Sequence, residues 1–255
     1  MLQIDQMTMR FGGVVAVSEA TMQINKGEII GLIGPNGAGK TTVFNVVTGI
    51  YPPTEGKIFF NPGEGSVDIS GKKPNVICKQ GICRTFQNIR LFKSMSVYEN
   101  VYMGHHMDLK SGWLQAIFHL PPYPKEVREN REHTEYLLES VGLADERNEL
   151  ATSLPYGMQR RLEIARALAT RPKLLLLDEP AAGMNPQETK DLMAFIKKIR
   201  DEYDLTIFLI EHHMDVIMGV SERIYVLDHG VMIAEGTPEV IQSNPKVIEA
   251  YLGVE

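Results

Sequence analysis

Gly34-Pro35-Asn36-Gly37-Ala38-Gly39-Lys40-Thr41 satisfies the pattern G-x-x-x-x-G-K-[ST] at each fixed position. The run before it, Glu28-Ile29-Ile30-Gly31-Leu32-Ile33, is short and apolar, as a buried strand is. After it Val43, Phe44, Val46, Val47 and Ile50 recur at helical spacing, and the pattern stops at Gly49 and the Pro52-Pro53 pair. A glycine turn of this spacing between a strand and a helix is the setting of a phosphate-binding loop, the ordinary alternative being a glycine-rich turn with an incidental lysine. Glycines let successive backbone N–H groups curl around an anion, and the helix N-terminus adds partial positive charge. Residues Gly34 to Thr41, with Thr42 beside them, are therefore expected to hold a nucleoside triphosphate. Lys40 is expected at the β and γ phosphates and the Thr41 hydroxyl on Mg²⁺.

A second stretch supplies the acids that such a site requires. Leu174-Leu175-Leu176-Leu177-Asp178-Glu179 reads as a buried strand carrying two carboxylates at its C-terminal end, the edge where ligands gather in open α/β sheets. Asp178 is placed to hold Mg²⁺ through its water shell, and Glu179 to take a proton from an attacking water. Further strands are expected at 174–177, 206–210, 224–227 and 231–234, with helical segments between them that imply parallel winding. Residues 2–9 and 14–24 alternate apolar and polar positions like half-buried antiparallel strands. Between about 90 and 152 Glu, Arg, Lys and His dominate, Tyr136, Leu137, Val141 and Leu143 fall on helical spacing, and Pro121-Pro122-Tyr123-Pro124 interrupts the run. That stretch reads as an inserted helical lobe within a single domain, 1–255. No internal repeat is visible.

Composition narrows the classes. A chain of 255 residues with 44% hydrophobic and 23% charged residues is an ordinary globular one. The net charge of −6 argues against nucleic acid as a partner. Cys78 and Cys83, the only cysteines, suit a reducing compartment and have no zinc-site spacing. No stretch approaches the roughly 18 consecutive apolar residues of a membrane span, so any path across a membrane must come from another chain.

The order of the phosphate loop, Gln87 in Arg84-Thr85-Phe86-Gln87, Leu154-Pro155-Tyr156-Gly157-Met158-Gln159, the leucine-rich Asp178-Glu179 and then His212 resembles the ATP-binding subunits of ABC transporters over essentially the whole chain. The resemblance implies a RecA-like P-loop NTPase core with an antiparallel β lobe and a helical subdomain, and two subunits sandwiching two ATP molecules head to tail. It also implies roles residue by residue. Phe11 stacks on adenine, Gln87 senses Mg²⁺ and the attacking water, and His212 contacts the γ-phosphate. Plain packing at a strand end for Phe11, a hinge for Gln87 and a surface position for His212 are the ordinary alternatives.

Two positions depart from the pattern. The usual Leu-Ser-Gly-Gly-Gln is here Leu154-Pro155-Tyr156-Gly157-Met158, so the serine hydroxyl is missing and the amides of Tyr156 and Gly157 are left to meet the partner's nucleotide. Asn185 stands where aspartate is usual; Asn185-Pro186-Gln187-Glu188 also reads simply as a helix start. Leu-Pro-Tyr-Gly, Glu179-Pro180-Ala181-Ala182-Gly183-Met184-Asn185-Pro186, the long segment 105–133 and the tail from Asn244 to Gly253 resemble the ATPase subunit of branched-chain amino-acid importers. That resemblance implies pairing with itself or a related ATPase, two membrane permeases, indirect service by an extracytoplasmic binding protein, and a cytoplasmic place on the inner face of the cell membrane. An exporter of lipid-like cargo and a soluble ABC ATPase outside transport are the alternatives. Leu91 to Val101 is the expected permease-docking segment, and Gly112 to Leu120 a short helix packed into the helical lobe, with docking as its second reading.

Overall fold

The computed structural model describes residues 1–63, 65–107, 109 and 111–252. In chain order it begins with β1 (Leu2–Phe11), β2 (Val14–Ile24), β3 (Ile29–Ile33), α1 (Lys40–Val47), β4 (Glu55–Phe60), β5 (Val67–Asp68), α2 (Pro74–Lys79) and β6 (Ile82–Arg84). Helices α3 (Val97–Gly104), α4 (Trp113–Phe118), α5 (Tyr123–Val141) and α6 (Tyr156–Leu168) follow. The chain ends with β7 (Leu174–Asp178), α7 (Pro186–Glu202), β8 (Thr206–Ile210), α8 (Met214–Val220), β9 (Arg223–Asp228), β10 (Val231–Gly236), α9 (Pro238–Gln242) and α10 (Pro245–Leu252). Gly253, the last residue of the quoted tail, lies outside the described residues. The chain forms two compact units, one of residues up to Gln87 together with those from Lys173 onward, the other Asn88–Pro172.

In the first unit a six-stranded sheet runs β10-β9-β3-β8-β7-β6, parallel except for β10. Every residue of β3, β7 and β8 is buried, the mark of strands covered on both faces and the reason these segments are unbroken apolar runs. Register then does the positioning. Arg84 pairs with Leu176, Asp178 with Ile210, and Ile210 with Leu32. The loop after β3, the acids at the end of β7, and the residues after β6 and β8 therefore emerge at one sheet edge. On the other side of α1 lies the four-stranded antiparallel sheet β2-β1-β4-β5. Helix α1 buries Val43, Phe44, Val46 and Val47, and Phe44 meets Phe208 with ring centroids 4.9 Å apart. The expected alternation in residues 2–9 fails at Met7-Thr8-Met9, all three buried. The register of β1 against β2 shifts between Ile4 and Met7, and Gln6 stands at φ 47, so a bulge turns the following side chains inward.

The second unit is helical. Ser96 opens α3 with a capping box, its hydroxyl accepting from Glu99 N at 3.1 Å while Glu99 accepts from Ser96 N at 2.8 Å. Buried Asn100 clamps the preceding loop, donating to Phe92 O and Ser96 O and accepting from Phe92 N at 2.9 Å. At Gly104 an added Cβ would stand 2.6 Å from Ala169 Cβ and 2.6 Å from the Arg166 carbonyl, so α3 and α6 need glycine there to pack. Helix α6 thus packs within this unit, which runs to Pro172. The expectation for Gly112 to Leu120 is corrected: α4 has no buried residue, and Trp113 is 72% exposed. Its apolar side chains recur at helical spacing as a core stripe would, but no element among the described residues of the unit buries them.

His105 follows α3 and is 1% exposed. Thr134 gives its hydroxyl proton to Asn130 O, so His105 Nε2 donates to Thr134 Oγ1 at 3.1 Å. Burial, aided by His133, Arg171 and His106, lowers its pKa to about 4. A base with a lowered folded pKa contributes stability that is complete above its unfolded value of about 6.5 and is lost as pH falls from there toward the folded value. Thermal unfolding is therefore expected to show a loss on the order of 2–3 kcal/mol between pH 6.5 and 4, which His105→Phe removes. Parallel pH profiles of the two proteins would contradict this.

Candidate active site

The loop from Gly34 to Lys40 is shaped by two close approaches. A Cβ on Gly34 would lie 2.0 Å from Leu227 O, and one on Gly39 would lie 2.6 Å from Ala16 O. Both glycines also have positive φ, 152° and 102°, so no other residue serves without strain. Helix α1 starts directly at Lys40, with no side-chain cap and no acid in its first turn. Its first amides and the positive end of its dipole are left for an external anion. The cleft in front of them has a volume of about 280 Å³ and is lined by residues 36–42 with Ala16, Glu179 and His212.

Lys40 is 5% exposed. Its ammonium donates to Gly34 O at 2.7 Å and Pro35 O at 2.9 Å. Burial pushes its pKa below the ordinary lysine value, while Glu179 and Asp178 pull it back up. Among the described residues it makes no ion pair. A buried cation resting on its own loop's carbonyls can exchange them for the oxygens of an anion.

Three residues separated widely in the chain meet at one carboxylate. Gln87 Nε2 donates to Glu179 Oε2 at 2.7 Å, and His212 Nε2 lies 2.6 Å from Glu179 Oε1. Glu179 itself sits at φ 46, a left-handed conformation rare for a residue with a side chain, and its N–H donates to Ile210 O. Such strain persists only where surroundings impose it, and it turns the carboxylate from the sheet edge into the cleft. Each carboxylate oxygen has two acceptor positions; with one donor on each, a position per oxygen remains for water.

Sequence reasoning missed three side chains here. Arg84 Nη2 pairs with Asp178 Oδ2 at 2.5 Å, both side chains 6% exposed. Arg84 also donates to Asn45 Oδ1 at 2.7 Å and lies over the rings of Phe44 and Phe86. A single arginine in a three-residue strand carries no sequence signal of this. Glu211, 1% exposed, accepts from Ala181 N at 2.7 Å and from His212 N at 3.1 Å, tying the loop after Glu179 to the segment that carries His212. An acid directly before the histidine was the available sign. The third, Tyr251, reaches Gly34 from α10.

The remaining residues fall as follows. Phe11 ends β1 half exposed, its ring 5.1 Å from Tyr51 in an edge contact, outside the lining of the cleft. Tyr156 and Gly157 belong to the helical unit, where Pro155 takes the N-cap position of α6 and leaves it without a side-chain cap. Asn185 is a full helix cap: Oδ1 accepts from Gln187 N and Glu188 N, and Glu188 returns the bond to Asn185 N. Thr41, Asp178 and Gln87 offer only oxygen donors near the loop, the set that suits Mg²⁺ completed by phosphate and water. Among the described residues no cluster of three His, Cys, Asp or Glu could hold a metal unaided.

A glycine loop shaped as a phosphate cradle, a buried lysine held by that loop's carbonyls, and a carboxylate braced by Gln87 and His212 are the parts of a nucleotide-hydrolysing cassette. The family model described as "ABC transporter" matches residues 17–182, and the chain belongs to that family; it is an ATP-hydrolysing cassette. A second model, "Branched-chain amino acid ATP-binding cassette transporter", matches residues 231–255. The chain is 47% identical over 252 residues to the high-affinity branched-chain amino acid transport ATP-binding protein BraF of Pseudomonas aeruginosa, covering 99% of this chain and 97% of that protein. It is 46% identical to LivG of Escherichia coli K12, described in the same words, over 99% of this chain and 98% of that protein. A crystal structure of the ADP conformation of MJ1267, an ATP-binding cassette of an ABC transporter, superposes with a TM-score of 0.83 at 33% identity, covering 100% of this chain and 99% of that one. The RecA-like core with its antiparallel lobe, expected from the resemblance, is the fold observed.

Proposed function

We propose that this chain is the ATP-hydrolysing subunit of an importer of branched-chain amino acids. The observation that carries the hydrolytic reading is the double bracing of Glu179 by Gln87 and His212 beside the loop cleft. The cargo rests on the relatives alone, because no side chain described above would touch an amino acid.

Residues 36–42 wrap the β and γ phosphates with backbone N–H groups, and Lys40 exchanges its carbonyl contacts for phosphate oxygens. Mg²⁺, held by Thr41 and Asp178 with Gln87 near it, would neutralise charge on those oxygens. Glu179 then accepts a proton from the attacking water. His212 has one Nε2–H to give when neutral; it holds Glu179 without nucleotide and moves to the γ-phosphate when ATP enters, freeing an acceptor position on the base. Phe11 supplies a ring face for adenine, with Tyr51 behind it.

Two copies, or one copy and a related ATPase, close on two ATP molecules, each presenting the N-terminal amides of α6 at Tyr156 and Gly157 to the other's nucleotide. The segment 1–255 works as one nucleotide-binding domain, its helical lobe contacting two permeases. Docking falls on Leu91 to Val101, which Asn100 ties together just after Gln87, and on the exposed face of α4. No helix among the described residues is long and apolar enough to cross a membrane. In this reading the chain works peripherally, on the cytoplasmic face beneath the permeases, the place the likeness to transport ATP-binding proteins supports. An extracytoplasmic binding protein delivers the cargo to the permeases.

The test is uptake of radiolabelled leucine, isoleucine and valine by cells lacking this chain. Uptake at low external concentration is expected to fall by about tenfold or more, as a positioned base contributes at least that much to the driving reaction. It should return with the native chain and not with Glu179→Gln. Unchanged uptake of all three amino acids would exclude this cargo.

A further inference from the structure

Tyr251 lies in α10, in the last turn before the described chain ends. Its hydroxyl oxygen accepts a hydrogen bond of 2.8 Å from Gly34 N–H, across 217 residues of sequence. Gly34 is the first residue of the phosphate loop, and its carbonyl accepts from Lys40 Nζ. One peptide unit after another is thereby linked: α10 holds the amide of Gly34, and the carbonyl of Gly34 holds the lysine that must release it to take a phosphate. The loop has little freedom of its own at this point, since Gly34 is pressed against Leu227 O. Helix α10 is anchored in turn by buried Val247, and the N–H of Ile248 donates to Asn244 O. Burial raises the pKa of the Tyr251 hydroxyl, so it is neutral, and a neutral phenol oxygen can accept from an amide. The segment 231–255, which contains Tyr251, is the one matched by the second family model.

We infer that the C-terminal helix is a positioning element of the phosphate loop, with Tyr251 as its positioning residue: the hydroxyl fixes Gly34, and through it the resting place of Lys40, and so sets the affinity for Mg-ATP more than the rate of its hydrolysis. The inference rests on the reading of this loop as the nucleotide site. A loop already held in its binding shape loses less freedom when ligand arrives. Loss of one hydrogen bond that shapes the loop, without loss of the loop's own donors, should weaken binding modestly and leave the chemistry of Glu179 in place.

The experiment compares native protein, Tyr251→Phe, Tyr251→Ala and Lys40→Ala by equilibrium dialysis against Mg-ATP, with thermal midpoints and the KM and kcat of ATP hydrolysis measured on the same samples. Tyr251→Phe keeps the ring and removes only the acceptor. Its Kd and KM are expected to rise about two- to tenfold, the worth of one net hydrogen bond, while kcat changes by less than that and the thermal midpoint stays near the native value. Tyr251→Ala should show at least the same rise. A fall in thermal midpoint or kcat with Kd unchanged would overturn the inference, because it would make Tyr251 a packing residue only. If Lys40→Ala lost binding while Tyr251→Phe bound as the native chain does, the inference alone would fall. If Lys40→Ala bound normally, the reading of the loop would fall first and the inference with it.

Discussion

Glu179→Gln is expected to bind Mg-ATP as tightly as the native chain and to hydrolyse it about 10²–10⁴-fold more slowly, the usual worth of a positioned general base. The substitution is nearly isosteric, so the bond from Glu179 N–H to Ile210 O and the left-handed turn at φ 46 persist. What changes is the acceptor count. The carboxylate takes one bond from Gln87 and one from His212 and still has room for a water. An amide in its place offers a single acceptor oxygen and turns an NH₂ toward one of those donors, and it cannot hold a proton taken from water. Binding is expected to be spared because the proposed grip on the phosphates belongs to residues 36–42, which line the cleft and which the substitution leaves unchanged. Single-turnover hydrolysis and equilibrium binding measured side by side separate the two effects. Turnover equal to native would remove Glu179 from the mechanism; lost binding would make it a structural residue.

Arg84→Ala is expected to lower folding stability by about 3–5 kcal/mol, the range for breaking one half of a buried ion pair. The guanidinium and the Asp178 carboxylate are 6% exposed, so removal of the arginine leaves an anion in a poorly solvated place. It also removes the donor to Asn45 in α1 and the cation over Phe44 and Phe86. Arg84 thus binds β6 to β7 and to the helix that begins at the phosphate loop. The arginine pairs with Asp178 Oδ2, and the proposed contact with a metal's water shell falls to the other oxygen. Chemical denaturation should show the loss, and Mg-ATP should restore part of it by supplying positive charge beside Asp178. The pair Arg84→Ala with Asp178→Asn should be less unstable than the sum of the single changes, since the uncompensated charge is gone. Strict additivity would show that the two side chains do not act on each other.

The local parts of the site were legible because they are local. A loop flanked by Ile29–Ile33 and Lys40–Val47 announces itself by glycine spacing and the change from a strand run to a helical stripe. The acids at 178 and 179 were read for the same reason: a run of leucines must be buried, and whatever ends it lies at the sheet edge. The meeting of Gln87, Glu179 and His212 was different. No spacing implies it; the family resemblance did, and the register of β6, β7 and β8 is what realises it. Strand β6 itself went unread, because three residues give no periodicity to detect. The bulge after Gln6 was invisible because a single residue in a left-handed conformation reverses the inward face without changing composition. Burial was the hardest property to read. Trp113, Leu114, Ile117 and Phe118 repeat at the spacing of a core helix, and only the tertiary fold reveals that they stay exposed among the described residues. Tyr251 and Gly34 were unreadable as a pair for the opposite reason: the contact is one hydrogen bond between residues 217 positions apart.

The most direct measurement is a crystal structure of the Glu179→Gln protein with Mg-ATP. The β and γ phosphates should lie against the amides of residues 36–42, with Lys40 Nζ moved from Gly34 O and Pro35 O onto phosphate oxygen, His212 turned from position 179 to the γ-phosphate, and a water beside the substituted side chain. A triphosphate bound away from this loop, or Lys40 still resting on its two carbonyls with nucleotide in place, would contradict the site assigned to this chain.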